Sequence, residues 1–378
     1  MAKTKMHELT ELGQSLWLDY IDRPLLETGK LKEMIENGLR GMTSNPSIFN
    51  SAIGSSNDYD DKIRTLRAQG KTTFEIYDDL TIRDIQQAAD HFADLYKRSN
   101  RLDGYVSLEI NPQIANEVDA QIKEGKRLFA KVNRPNVMIK VPSTNAGFPV
   151  IEELIASGIN VNVTLIFSLK QYEQSFNAYW QGLNRLVKTT SDLSGVRSVA
   201  SVFVSRIDTD IDKLLDGLTA KETNADKKNQ LIQLRGQAAV ANSRLIYGRW
   251  QELMQSPQVK TLQAKGANNQ RILWGSTGTK DPKYSDIKYV TELIAPETVN
   301  TLPEKTLMAF VDHGHAKNAF DSNCEAALAI IKALAGFGID VNVICRDLLE
   351  KGVKSFDDAF VQLFDSIEKK AKQLSLIK

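Results

Sequence analysis

The feature that most constrains this chain is a repeated alternation between short β-rich runs and longer segments with helical periodicity. Several of the short runs are largely apolar, which is typical of parallel strands covered by helices on one face and packed side chains on the other. We predict eight strands: Leu16–Asp19, Gly41–Ser44, Tyr105–Ile110, Asn136–Val141, Asn160–Phe167, Ser198–Val204, Arg271–Ser276 and Leu307–Val311.

The segments between these runs predict helices. The clearest are Asp78–Arg98, Pro112–Asn133, Val150–Ser157, Leu169–Lys188, Asp208–Asp216 and Lys227–Gln255. Eight βα units without an evident linker favour an α/β fold of the closed (β/α)8 TIM-barrel type with additional helices. We therefore expect one domain over 1–378, with helical insertions at about 208–265 and a C-terminal helical extension that includes Ser355–Leu376.

Composition and short motifs exclude several other classes of protein. The 48 basic and 47 acidic residues nearly balance, so charge gives no reason to expect nucleic acid as a partner. No Gly-x-Gly-x-x-Gly motif follows the first strand, which argues against a dinucleotide-binding fold. The two cysteines fit a reducing compartment, and neither a signal peptide nor a membrane span is evident. We expect a cytoplasmic protein.

Polar residues stand at the ends of the predicted strands, where barrel enzymes place their working groups. Lys140 interrupts the apolar run Asn136–Val141, and Asp19 and Glu109 end two other strands. Asn162 and Thr164 lie at alternate positions and therefore point the same way. A lone strand lysine is commonly a salt-bridging residue, but an amine with two carboxylates and a hydroxyl is also the set that Schiff-base aldol chemistry requires.

Five segments, matching in order and spacing, make the chain resemble the transaldolases. They are Leu18-Asp19-Tyr20, Thr43–Phe49, Val106–Glu109, Ile139–Thr144 and Gly158–Ser168. The resemblance implies a barrel enzyme that needs neither cofactor nor metal. It transfers a dihydroxyacetone unit between sugar phosphates in the non-oxidative pentose phosphate pathway, and it is compatible with a helix-packed homodimer.

Carried over to this chain, the resemblance makes Lys140 the Schiff-base lysine. Asp19 would be the base that takes the C4 hydroxyl proton, and Glu109 and Thr164 would activate a water. The donor would be held by residues that bind its hydroxyls and its phosphate, namely Asn45, Asn162, Ser201 and Arg206. A guanidinium suits phosphate, which supports the last of these assignments.

The seventh strand departs from the family pattern. Many transaldolases have Ser-Phe-Arg there, whereas this chain has Ser276-Thr277-Gly278-Thr279-Lys280. Ser276 still fits, and Lys280 is the candidate for a second phosphate-binding cation. A plain strand-to-helix turn is the alternative for this segment. It does not match a nucleotide-binding P-loop, because the glycine and lysine spacing differs.

The sequence leaves two alternatives to a transaldolase open. A fructose 6-phosphate aldolase-like lyase would use the same barrel and release dihydroxyacetone to water, although such lyases are usually far shorter. A catalytically silent barrel would act only in binding, which the presence of Lys140, Asp19, Glu109 and Thr164 disfavours. His313 and His315 are interpreted as loop residues, because no third metal ligand lies near them in the sequence.

Overall fold

A computed structural model describes residues 3–320 and 323–376 of the chain. Eight parallel strands pair in sequence order, and the last pairs with the first, so the sheet closes into a barrel. The strands are β1 Gln14–Asp19, β2 Gly41–Thr43, β3 Tyr105–Glu109, β4 Val137–Pro142, β5 Val161–Ile166, β6 Ser198–Phe203, β7 Arg271–Gly275 and β8 Thr298–Leu302. The predicted (β/α)8 fold is confirmed.

The prediction of the eighth strand was wrong. Leu307–Val311 lies inside a helix, Glu304–His313, in which Leu307 and Phe310 are buried while Met308 is exposed. That spacing of three is helical, and the short apolar run concealed it. The true β8 was missed because three of its five residues are polar: Thr298, Asn300 and Thr301. Asn300 donates to the Tyr289 carbonyl and Thr298 to the Ala295 carbonyl.

Helices cover the outside of the barrel and extend beyond it. They are α1 Lys5–Glu11, α2 Arg23–Glu27, α3 Lys30–Glu36, α4 Pro46–Ser55, α5 Asp60–Ala68, α6 Thr73–Arg98, α7 Val118–Val132, α8 Gly147–Ala156, α9 Leu169–Leu186, α10 Ser205–Lys221, α11 Ala225–Leu234, α12 Ala238–Leu253, α13 Pro257–Gln263, α14 Lys288–Thr291, α15 Glu304–His313, α16 Glu325–Gly336 and α17 Val341–Leu376. A short 3-10 helix, Pro112–Ile114, precedes α7.

The predicted helices differ from the observed ones by up to six residues at an end, and two of them differ more than that. The predicted helix Lys227–Gln255 is two helices, α11 and α12, separated at Gly236, whose φ of +67° ends the first. The C-terminal helix α17 is longer than Ser355–Leu376 and contacts α4, α5, α6 and α10. It therefore packs along one side of the barrel mouth.

The barrel interior is layered, and an apolar layer lies beneath the polar strand ends. Its members come from six strands: Trp17, Tyr105, Met138, Val199, Leu273 and Val299. Three of these residues stand two positions before a polar residue of the site: Trp17 before Asp19, Met138 before Lys140 and Val199 before Ser201. The two members of each pair therefore share a face of their strand. At Gly41 a Cβ would lie 2.5 Å from the Trp17 ring, which explains the glycine. This layer closes the floor of the site above it.

No single helix among residues 3–320 and 323–376 has the length and apolarity of a membrane-spanning segment. The helices Glu325–Gly336 and Val341–Leu374, which meet at a bend of 89°, reach that criterion only when they are taken together.

Candidate active site

A cavity of about 140 Å³ opens at the carboxyl ends of the strands. Nine of the ten residues predicted for the site line it: Asp19, Asn45, Lys140, Asn162, Thr164, Ser201, Arg206, Ser276 and Lys280. The tenth, Glu109, contacts Lys140 from the neighbouring strand. The parallel register explains this convergence, because Glu109 pairs with Lys140 and Lys140 pairs with Asn162 across β3, β4 and β5.

Lys140 is buried with its amine held by two oxygens. Its Nζ lies 3.0 Å from the Ser44 carbonyl oxygen and 3.2 Å from Glu109 Oε2. The ring of Phe356, from α17, stands 5.7 Å from the same nitrogen. Burial raises the pKa of Glu109, and the charge of Lys140 acts in the opposite direction. The pair is therefore a proton donor and acceptor in direct contact, closed off from bulk water.

Asp19 faces the same cavity from β1. Its Oδ1 accepts a hydrogen bond of 2.6 Å from Thr43 Oγ1. Thr43 Oγ1 in turn lies 2.7 Å from Thr301 Oγ1. Because Thr43 has one hydroxyl proton and gives it to Asp19, Thr301 must donate to Thr43. Burial raises the pKa of Asp19, whereas Lys140 and the Thr43 hydrogen bond lower it. The carboxyl group is thus held in place at the cavity wall, and Lys140 and Thr43 partly offset the effect of its burial.

Asn162 is oriented from both sides. Its Nδ2 donates to Ser107 Oγ at 3.0 Å, and its Oδ1 accepts from Ser201 Oγ at 2.6 Å. These two bonds fix the side chain at the cavity wall. The three residues form a row of polar groups across β3, β5 and β6 that suits the hydroxyls of a sugar.

The hydroxyl of Thr164 is buried and has no hydrogen-bond partner among the described residues. Buried hydroxyls are normally satisfied, so this one needs an explanation. Thr164 lies beside a bulge in β5: two residues, Thr164 and Leu165, stand between Val163 and Ile166, while the paired stretch of β6 has one. Its hydroxyl is therefore a buried hydrogen-bonding group that no described side chain or backbone group satisfies.

Cationic and hydroxyl groups surround the mouth of the cavity. Arg206 is in the first turn of α10, and its guanidinium lies 5.3 Å from the ring centre of Phe203. Ser276 has a φ of +54° and its hydroxyl lies 3.1 Å from that of Ser205. Asn45 caps α4 by accepting from Ile48 N at 3.0 Å, which leaves its amide NH2 for other partners.

Lys280 lies between the candidate active site and a second cavity. That cavity, of about 290 Å³, is lined mainly by acidic and tyrosine side chains from α10 and the segment after β7. Its two buried carboxylates are already bonded, Asp208 to Tyr289 and Asp212 to Tyr284. Lys280 is exposed and lines both cavities. It is therefore a cationic residue at the edge of the candidate site.

Sequence patterns did not indicate several residues that the structure places at the site. Ser107 could have been found, because it stands two positions before Glu109 on the same strand face. Thr43 was visible as a polar strand end, but its bond to Asp19 depends on barrel pairing. Thr301 lies on the missed strand, and Phe356 comes from a distant helix. No local signal distinguishes the last two.

No group of three or more potential metal ligands occurs in the part of the chain that the structure describes. The interpretation of His313 as a loop residue was wrong, because it is the last residue of α15. Its ring nitrogens lie 3.1 Å from Asp312 and 3.0 Å from Asp286, on the protein surface.

Comparisons with known proteins agree with this geometry. The model of the family described as transaldolase/fructose-6-phosphate aldolase matches residues 16–367. The chain is 42% identical to transaldolase 2 of Nostoc sp., covering 99% of this chain and all of the relative. It is 40% identical to the transaldolase of Trichodesmium erythraeum over 99% and 100% of the two chains. It is also 41% identical to that of Thiobacillus denitrificans over 95% and 98%. The chain belongs to the transaldolase/fructose-6-phosphate aldolase family of enzymes.

Proposed function

We propose that this enzyme is a transaldolase that carries a dihydroxyacetone unit from a ketose phosphate to an aldose phosphate on Lys140. The observation that carries the proposal is the environment of Lys140: a buried amine in contact with Glu109, in a cavity that Asp19 and Thr164 also line. The Thr164 hydroxyl has no hydrogen-bond partner among the described residues. Full-length similarity to relatives named transaldolase supports the same function.

The first step is formation of an imine. Glu109, 3.2 Å from Lys140 Nζ, accepts a proton from the amine, which then attacks the ketose carbonyl carbon C2. Loss of water from the resulting carbinolamine needs a proton donor. Glu109 then holds that proton, and Thr164 orients the leaving water with its free hydroxyl. The imine acts as the electron sink for the next step.

Cleavage of the C3–C4 bond requires a base at the C4 hydroxyl. Asp19 takes that proton, the C4 carbon leaves as an aldehyde, and the bonding electrons move into an enamine on Lys140. The acceptor aldehyde enters the same place, and the steps run in reverse. Asn162 and Ser201 bind the hydroxyl groups of the three-carbon unit, with Asn45 at the mouth. Arg206, with Ser276 and Lys280 beside it, binds the phosphate.

The experiment that tests this function is borohydride trapping with fructose 6-phosphate, followed by peptide mapping. We expect one reduced dihydroxyacetone adduct, on Lys140. Lys140→Gln should give none, whereas Lys280→Gln, a change of the same type in the same cavity, should keep the adduct. An adduct on another lysine of the wild-type protein would contradict the site assignment.

Acceptor dependence separates transfer from cleavage. We expect release of glyceraldehyde 3-phosphate from fructose 6-phosphate to depend on added erythrose 4-phosphate, and to persist in a metal chelator. Rapid release without an acceptor would favour the lyase that shares the family. Absence of both adduct and turnover would leave a binding protein.

A further inference from the structure

The strained backbone at Leu165 stands directly after Thr164. Leu165 is buried and has a φ of +61°, a conformation that residues with a branched side chain rarely adopt outside functional sites. It is the extra residue of the β5 bulge, and bulges next to active sites redirect side chains. Such strain persists only where the surroundings impose it.

Two buried side chains impose it here. Ser143, at the end of the Lys140 strand, donates from Oγ to the Leu165 carbonyl at 2.8 Å. Gln171, on α9, places Nε2 at 2.9 Å from Ser143 Oγ and at 3.2 Å from both the Ser143 and the Leu165 carbonyl oxygens. Ser143 N in turn donates to the Thr164 carbonyl at 2.8 Å. The backbone on both sides of the bulge is therefore held.

The other end of the Gln171 amide fixes α9. Its Oε1 accepts from the backbone N of Phe167 and of Ser168, both at 3.1 Å, as the reciprocal partner in the capping box of that helix. One side chain thus joins the strand of Lys140, the bulge after Thr164 and the start of a helix. A capping role alone would not require Nε2 to contact Ser143.

We infer that Ser143 and Gln171 are positioning residues that hold the β5 bulge so that Thr164 stays at the cavity wall with its hydroxyl unpaired. The inference rests on the proposed function, in which Thr164 orients the water of imine formation. We call the contacts of Ser143 and Gln171 with the bulge the clamp. If the clamp acts only through Thr164, removing it should slow imine formation. Binding of the sugar phosphate, which other residues provide, should stay almost unchanged.

The test is a double-mutant cycle on fructose 6-phosphate and erythrose 4-phosphate turnover. We expect Ser143→Ala to lower kcat roughly 10- to 100-fold, because small displacements of an aligned group are that costly, with the KM for donor changed by less than about twofold. The borohydride trapping rate should fall in parallel. In a Thr164→Ala background the same substitution should change kcat by less than about twofold, because coupled residues are not additive.

Two further variants keep the result decisive. Gln171→Glu retains an acceptor for the helix cap but replaces the Nε2 donor, so it should reproduce Ser143→Ala in both backgrounds. Ser175→Ala deletes a hydroxyl that is equally buried on α9 and donates to the Gln171 carbonyl, so it should leave kcat near wild type. Equal losses with and without Thr164, or losses no larger than that of Ser175→Ala, would refute the clamp. A wild-type protein without transfer activity would instead refute the proposed function.

Discussion

Replacing Thr43 with valine tests whether Asp19 is the base and whether the Thr43 hydroxyl on the neighbouring strand lowers its pKa. Valine has the shape of threonine without its hydroxyl, so the change removes the 2.6 Å bond that stabilises the ionised carboxylate. Burial already raises the pKa of Asp19, and the Thr43 bond is one of two influences that lower it. Its removal must therefore raise that pKa further.

The size of the shift follows from the bond and its surroundings. A hydrogen bond to a charged acceptor contributes about 1.5–3 kcal/mol, and one pKa unit corresponds to about 1.4 kcal/mol. Asp19 is partly exposed to the cavity, so water replaces some of the lost interaction. We therefore expect the low end, a rise of about one unit.

The assay is kcat/KM for donor between about pH 5 and 9, whose acid limb reports the base of the free enzyme. In Thr43→Val the acid limb should move up by about one pH unit, with little loss on the plateau. Thr301→Val is the matched control, since it removes a hydroxyl one step further away and keeps the Thr43–Asp19 bond. An acid limb that coincides with wild type, or an equal shift in Thr301→Val, would refute the reasoning.

Three other outcomes follow from the structure. Arg206→Ala should raise the KM for sugar phosphates by roughly 10- to 100-fold, since bonds to a charged group contribute about 1.5–3 kcal/mol, and should affect unphosphorylated dihydroxyacetone far less; equal KM changes for both would contradict a phosphate role. Phe360→Ala, which removes a ring 1% exposed and 5.2 Å from Tyr77, should lower the free energy of unfolding in denaturant by about 3–5 kcal/mol; a loss below about 1 kcal/mol would show that α17 is loosely packed. Burial raises the pKa of Asp84 to about 6, above its value of about 3.9 in an unfolded chain. Between about pH 4 and 7 the folded state therefore binds a proton that the unfolded chain has lost, and the free energy of unfolding falls as the pH rises. Asp84→Asn should flatten that slope, by up to about 3 kcal/mol over the interval, in denaturation measured at each pH; an unchanged slope would exclude Asp84 as its source.

The sequence by itself determined the fold class and identified nine of the residues that line the candidate site. Seven of the eight strands were placed to within two residues, because apolar runs and their boundaries are local properties of the chain. The period of two along β5 put Asn162 and Thr164 on one face, and the lysine in β4 was conspicuous among apolar neighbours. Where a strand ended on a polar residue, the architecture itself brought that residue to the site.

Only the tertiary structure decided how these groups are held. The eighth strand escaped detection because polar residues interrupt it, and two of them, Thr298 and Asn300, bond to backbone carbonyls that are not part of the sheet. Thr301 lies on the same strand, so the sequence did not indicate it either. Phe356 reaches Lys140 from a helix that sequence periodicity does not connect to the barrel. The bulge at Leu165 and the Ser143–Gln171 contacts join three separate segments. Periodicity reports how a residue is directed relative to its own strand or helix. Contacts between distant segments arise only when the barrel closes, so they leave no such pattern in the sequence.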